Sequence, residues 1–341
     1  MDTDKKYSMQ DVAKEANVSI ATVSRVLNNQ TTVNEETAKR VLQVARRLDY
    51  RPNRVARRMR VKNTDSLVIG LIIADMENPF FSEIARGVED VAYQNKNAVM
   101  VCNSDEQPEK ERFYLETLIS ERVAGLIIAP TTGNYEILHK LSDENFPMIC
   151  VDRHPENLNL DTVTINNELG AYQAVKRLIN LGHRRIGIIN GLQGLSTTNE
   201  RFNGYKKALK ETGIPLDEDL IVFENSRQSG GREGIKKLIK LKTLPTAVFV
   251  TNNLMTLGFL EETYTQNLNI PGDIALVGFD DMPWSAALNP PLTAVKQPGY
   301  ELGVTAAELL LKRLKEPNRN SVDTFLNPEL IIRKSCGSEI S

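Results

Sequence analysis

Apolar residues in the first fifty positions recur three to four apart, while from Leu67 onward they bunch into short continuous runs. That change of texture divides the chain. Within 18–28, Ser19 is placed to cap a helix. Ile20, Ser24 and Asn28 then form one i, i+4 row and Ala21 and Arg25 the next, with Val23, Val26 and Leu27 on the other side. Residues 9–16 read as a second short helix, Ser8 and Asp11 having the spacing of a capping box. Two short helices, a tight turn and an outward face of small and basic residues fit a helix-turn-helix with 19–28 as the reading helix. Any small helical hairpin would satisfy the same pattern. Asn34 can cap a third helix over 34–48, where Val41, Ala45 and Leu48 line one stripe. A short fourth helix over 53–60 presents Val55, Ala56 and Met59 with no local partner. At about eight residues it is too short to persist alone and needs a twin from a second subunit, DNA, or both.

The later runs, 67–74, 98–102, 125–129, 148–151, 185–190, 247–250 and 274–279, have the character of buried strands. Helical segments near 80–95, 109–121, 134–144, 168–181, 200–212, 229–241 and 254–267 fall among them. Such alternation implies parallel sheets with crossover helices, here enough chain for two doubly wound lobes. In open α/β sheets a ligand sits beyond the carboxyl ends of the strands. Those ends carry Asp75, Asp152-Arg153, Asn190-Gly191, Asn252 and Asp280-Asp281.

Charge sharpens the division. The net charge of −2 conceals +7 on residues 1–62 and −9 on the remainder. A basic module on an acidic body points to a polyanion bound at one end. No apolar run approaches the roughly 20 residues of a membrane span, so no membrane partner is expected. The polar N-terminus lacks a secretory h-region, and Cys102, Cys150 and Cys336 have no metal or redox spacing; a cytoplasmic protein with reduced thiols is the expectation.

Residues 11–28, 50–53 and Ala56-Arg57 closely resemble the headpiece of the lactose/galactose repressor (LacI/GalR) family. So do 78–81, 182–186, Glu200-Arg201, 278–281 and Gln297-Pro298, at family-like spacing over the whole chain. The resemblance implies an α/β fold in three parts: a helix-turn-helix headpiece (1–50), a hinge helix and linker (51–65), and a two-lobed core (66–341) similar to periplasmic sugar-binding proteins. Its chain would cross between lobes near 163, 291 and 323. The N-lobe would hold 66–163 and 292–323, and the C-lobe 164–291 and 324–341.

By the same resemblance Ile20, Ala21 and Arg25 face base edges in the major groove. Arg25 is the specific reader, able to bond guanine bidentately, while Ile20 and Ala21 offer apolar contact. Ser8, Ser19, Thr22, Ser24, Asn28, Asn53, Ala56 and Arg57 complete the DNA surface, with Ser8, Thr22, Ser24 and Asn28 as phosphate positioners. Met59 takes the wedge position in the minor groove, where the family usually has leucine, or else packs the hinge pair. For an effector, Asp152 and Asp280 would accept from vicinal hydroxyls, and Arg153 and Arg201 would donate. Asn78, Asn252 and Gln297 can do either, and Phe80 or Phe81 would lie against a sugar ring. Two departures loosen the sugar's identity: Ala129 stands where ribose-type relatives carry an amide, and Asn225 near where an aromatic often covers the ring.

The reading is a sequence-specific regulator, a homodimer on a pseudo-palindromic operator, controlled by a monosaccharide or sugar phosphate, with no cofactor and no metal. Control by a phosphoprotein is the alternative; Arg201 and the Asp152-Arg153 pair argue for the small ligand. A sugar-acting enzyme is more distant. The chain has three histidines and no Walker A, G-x-G-x-x-G or G-x-S-x-G motif. The Asp152/Asp280 pair could serve as acid and base, but flanking arginines are expected to hold both ionised. A transport receptor fails on the basic headpiece and the lack of a signal peptide.

Overall fold

The computed structural model describes residues 7–27, 33–48, 50, 67–133, 135–155 and 158–337. They belong to two units divided at 65/66. Asn28, Asn53, Ala56, Arg57 and Met59, with the expected hinge helix and linker, lie outside the described residues.

The first unit is a three-helix bundle of α1 (Met9–Glu15), α2 (Ile20–Leu27) and α3 (Glu35–Arg47). Ser8 closes the expected capping box with Asp11, accepting from its backbone N–H while the Asp11 carboxylate accepts from Ser8 N. Asn17 supplies the turn into α2 by taking a left-handed conformation (φ 52°), which Asn tolerates better than most residues. Ser19 caps α2, its Oγ accepting from Thr22 N at 3.1 Å, and Asn34 caps α3. Val12, Ala13, Ala16, Val23, Val26, Val41, Val44 and Ala45 form the core. Burying these small aliphatic side chains fixes α2, too short to persist alone, against its neighbours.

The second unit holds two six-stranded sheets. The first comprises β1 (Val68–Ile73), β2 (Ala98–Asn103), β3 (Gly125–Ile128), β4 (Met148–Val151), β5 (Asp161–Ile165) and β11 (Asp323–Leu326), in the order β11-β5-β4-β3-β1-β2. The second comprises β6 (Ile186–Asn190), β7 (Ile221–Phe223), β8 (Ala247–Val250), β9 (Ala275–Phe279), β10 (Thr293–Lys296) and β12 (Glu329–Ile331), in the order β12-β10-β9-β8-β6-β7. The two orders repeat one another. All pairings are parallel except β10 with β12.

Helices α4 (Pro79–Gln94), α5 (Pro108–Ser120), α6 (Glu136–Asp143) and α11 (Gly299–Lys315) serve the N-lobe. Helices α7 (Asn167–Asn180), α8 (Ser196–Glu211), α9 (Gln228–Ile239) and α10 (Asn253–Thr265) serve the C-lobe. Helices α4 and α11 approach closely enough that a Cβ on Gly87 would stand 2.2 Å from the Tyr300 carbonyl oxygen, and one on Gly303 2.1 Å from that of Ile84. No described helix is long and apolar enough to cross a membrane.

The chain passes between lobes three times: between Ile165 and Asn167, between Lys296 and Gly299, and between Leu326 and Glu329. Each crossing follows a complete strand, so each lies a few residues later than expected. The segment 292–296 therefore belongs to the C-lobe sheet and 324–326 to the N-lobe sheet. Strand-to-helix crossings of this kind put the carboxyl ends of both sheets at one cleft.

Candidate DNA-reading surface and effector cleft

On α2 the buried residues are Val23 and Val26, which leaves Ile20, Ala21 and Arg25 exposed together on the opposite side. Ile20 is 44 % exposed, an unusual position for isoleucine in a bundle this small. The Thr22 hydroxyl lies 2.9 Å from that of Ser19, so the polar residues at the start of α2 form one exposed cluster. An apolar pair beside a guanidinium, rimmed by hydroxyls, can touch a thymine methyl, a guanine edge and phosphates together.

The cleft of the second unit gathers all nine residues expected there, Asn78, Phe80, Phe81, Asp152, Arg153, Arg201, Asn252, Asp280 and Gln297. Two of its aspartates sit just past β4 and β9 in left-handed conformations, φ 68° at Asp152 and 73° at Asp280. That backbone costs less for Asp than for most residues and turns each carboxylate across the strand ends. Asp280 accepts from the backbone N–H of Asn253 at 3.2 Å and from the Gln297 amide. Asp152 Oδ2 lies 3.3 Å from Arg153 Nε without hydrogen-bond alignment. Asp152 Oδ1, Arg153 Nε and Gln297 Oε1 are buried with no hydrogen-bond partner among the described residues. Such atoms are costly to leave unsatisfied and are natural ligand contacts.

The arginines are held from behind. Arg201, expected from sequence to donate to the effector, is buried. Its Nε donates to Asn167 Oδ1 at 2.8 Å and Nη1 to the Thr251 carbonyl at 2.6 Å, while its guanidinium lies 3.9 Å from the centre of the Phe279 ring. Phe80 and Phe81 meet edge to face at 5.3 Å beneath the cleft. Asn78 caps α4 and also accepts from Asn253 Nδ2 at 2.8 Å, a hydrogen bond between lobes. Asn252 lines the cleft, but its side-chain oxygen caps α10, so the adjacent Asn253 makes the directed amide contacts. Asn225 turns its side-chain oxygen to the start of α9, accepting from Arg227 N and Gly230 N.

Burial, more than the flanking arginines, sets the pKa values of the two aspartates. Burial pushes Asp152 up to about 6, with Arg153 and Arg201 opposing it, and burial likewise raises Asp280 against Arg201. The neighbouring cations do not depress these carboxyls, because desolvation is the larger effect. At neutral pH Asp152 remains mostly ionised at a pKa of about 6. Arg201 shifts downward through burial, partly offset by Asp280 and Asp152.

Several cleft residues carried no signal in the sequence. Thr197 and Thr198 line it because α8 begins at Ser196, four residues before the helix expected near 200. Glu106 enters from an irregular turn in which Asp105 and Glu106 are both left-handed at φ 58°. Arg227, at the start of α9, reaches across to Asp105 on the other lobe. The cavity that remains is about 40 Å³, room for a few waters. A larger ligand needs more room than this cavity offers.

Comparison with known proteins agrees at both units. Residues 8–53 match the family described as bacterial regulatory proteins, lacI family, and residues 175–336 match the periplasmic binding protein-like domain. The HTH-type transcriptional repressor PurR of Histophilus somni is 37% identical, covering 96% of this chain and 98% of its own. The ribose operon repressor of Haemophilus influenzae is 35% identical, covering 97% and 99%. Among solved structures, the lac repressor dimer bound to operator superposes with a TM-score of 0.84 at 28% identity, covering 97% of this chain and 99% of that one. The chain belongs to the LacI family of DNA-binding transcriptional regulators.

Proposed function

We propose that this regulator is a homodimeric repressor whose affinity for a pseudo-palindromic operator is set by a monosaccharide held between the core lobes. The observation that carries the effector class is the set of unsatisfied atoms in the cleft. Two acceptors, Asp152 Oδ1 and Gln297 Oε1, stand with one donor, Arg153 Nε, in a site that also contains Phe80 and Phe81. Vicinal hydroxyls can serve acceptors and donor alike, and the aromatic pair suits the C–H face of a sugar ring. The similarity to a ribose operon repressor supports the same class.

Dimerisation is supported by β2. It is an edge strand of its sheet, and Met100 and Val101 are 38 % and 45 % exposed. An apolar edge of this kind is a liability unless another surface covers it. Two copies would also give two reading helices, as half-sites require.

Control follows from the placement of the cleft. A sugar that binds one arrangement of the lobes more tightly than the other shifts the population between them, and its leverage on DNA equals that preference. A thermal-shift screen of the full chain against pentoses, hexoses and their phosphates, followed by operator binding with the hit, tests this directly. A sugar that raises the melting temperature and alters operator affinity is the expected outcome. A screen in which no sugar binds, while a phosphoprotein alters operator affinity, would transfer control to that partner.

A further inference from the structure

Resting on the reading of the cleft as a sugar site, one residue bears on which sugars enter. The turn after β2 directs Glu106 at Arg153, and both partners are largely buried, their side chains 13% and 8% exposed. Arg153 Nη1 donates to Glu106 Oε2 at 2.8 Å and Nη2 to Oε1 at 2.5 Å, a bidentate pairing, and Nη1 also donates to the Pro130 carbonyl at 3.2 Å. That fork is the geometry by which arginine grips a phosphate or a carboxylate.

The other two cleft arginines are also engaged. Arg201 donates to Asn167 and the Thr251 carbonyl, and Arg227 pairs with Asp105 and lies 4.0 Å from Glu77. Asp75, Glu106, Asp152 and Asp280 line the cleft against Arg153, Arg201 and Arg227, so its carboxylates outnumber its guanidiniums.

We propose that Glu106 sets the charge class of the effector: by occupying the fork of Arg153 it makes the cleft select unphosphorylated sugars and reject their phosphates. The unsatisfied atoms have the same bias. With two buried acceptors and one buried donor unsatisfied, the cleft favours a ligand that offers donors, as hydroxyls do and an ionised phosphate does not. An anion that displaced Glu106 would leave a buried carboxylate without its cation, which is unfavourable in a low-dielectric site. Glu106 acts here as a specificity residue working through Arg153.

The test measures binding of free pentoses and hexoses, and of their matched 5- or 6-phosphates, to the full-length chain by calorimetry. Wild type, Glu106→Gln and Glu106→Asp are compared. In wild type the free sugar should bind at least about 100-fold tighter than its phosphate, a gap that salt should change little because the charges that set it are buried. Glu106→Gln should bring the ratio below about tenfold, and Glu106→Asp should retain most of it, with melting curves showing both variants folded. A wild type that binds the phosphate as tightly as the free sugar, or a folded Glu106→Gln with an unchanged ratio, overturns the role of Glu106 and leaves the sugar site standing. Should Glu106→Gln not fold, the wild-type ratio decides alone, and a phosphate bound within about tenfold of the free sugar overturns the proposal. Binding of neither class would remove the sugar reading and this inference with it.

Discussion

Arg25 and Asp152 concentrate opposite costs and benefits. Arg25 is exposed on α2 beside Ile20 and Ala21, where a guanidinium can discriminate a base pair by about 1–3 kcal/mol. Arg25→Ala should therefore abolish preference for the operator in competition gel shifts while leaving weak, salt-sensitive binding; an unchanged specificity ratio would remove its reading role. Asp152 is a carboxylate kept in a buried place against its own solvation. Its folded pKa, about 6, lies above the ordinary value, so the folded state bears a penalty that is absent below pH 4 and complete above pH 6. Asp152→Asn, which also tolerates the left-handed backbone, should raise stability above pH 6 by about 1–3 kcal/mol. The gain should fade toward pH 4 in melting curves, and sugar binding should be lost. These single residues were legible because strand ends and helix rows announce them. Glu106 was not, since two successive left-handed residues in an irregular turn have no periodicity to betray their direction.

Among the elements, legibility followed the chemistry of the strands. Runs such as Gly125–Ile128 and Ala247–Val250 are apolar throughout and buried at every position. Strand β5 is equally buried but reads Asp-Thr-Val-Thr-Ile, and it escaped notice because its polar residues find partners inside the fold. Asp161, fully buried, accepts from Arg313 Nε and Arg319 Nη2, each at 2.5 Å, from segments some 150 residues later in the sequence. Helix α11 was hidden for a related reason. Gly299 and Gly303 in its first turns weaken a helical reading, yet Gly303 is what lets α11 lie against α4. Gly87→Ala on the facing helix would force a Cβ to 2.2 Å from a backbone oxygen. It should lower the stability of the core by about 1–3 kcal/mol in denaturant unfolding. Unchanged stability would mean that the helices separate without cost.

At the scale of the whole molecule, a headpiece with a net charge of +7 is joined to a core of −9, and each unit has its own hydrophobic core. Affinity for duplex DNA should fall with salt at a log–log slope of about −0.9 for each phosphate neutralised. A slope near zero would exclude the basic headpiece as the electrostatic contact. The central claim is that occupancy of the cleft governs the affinity of the α2 helices for DNA. The most direct measurement is fluorescence anisotropy of a selected operator duplex titrated with the full-length protein, with and without a saturating sugar. Gln297→Ala, which removes one of the unsatisfied acceptors, is the control. Wild type should change its operator Kd by about tenfold or more, a coupling of the size typical of allosteric pairs, and Gln297→Ala should require far more sugar for the same change. An operator Kd that stays constant while calorimetry shows the cleft filled would contradict the account.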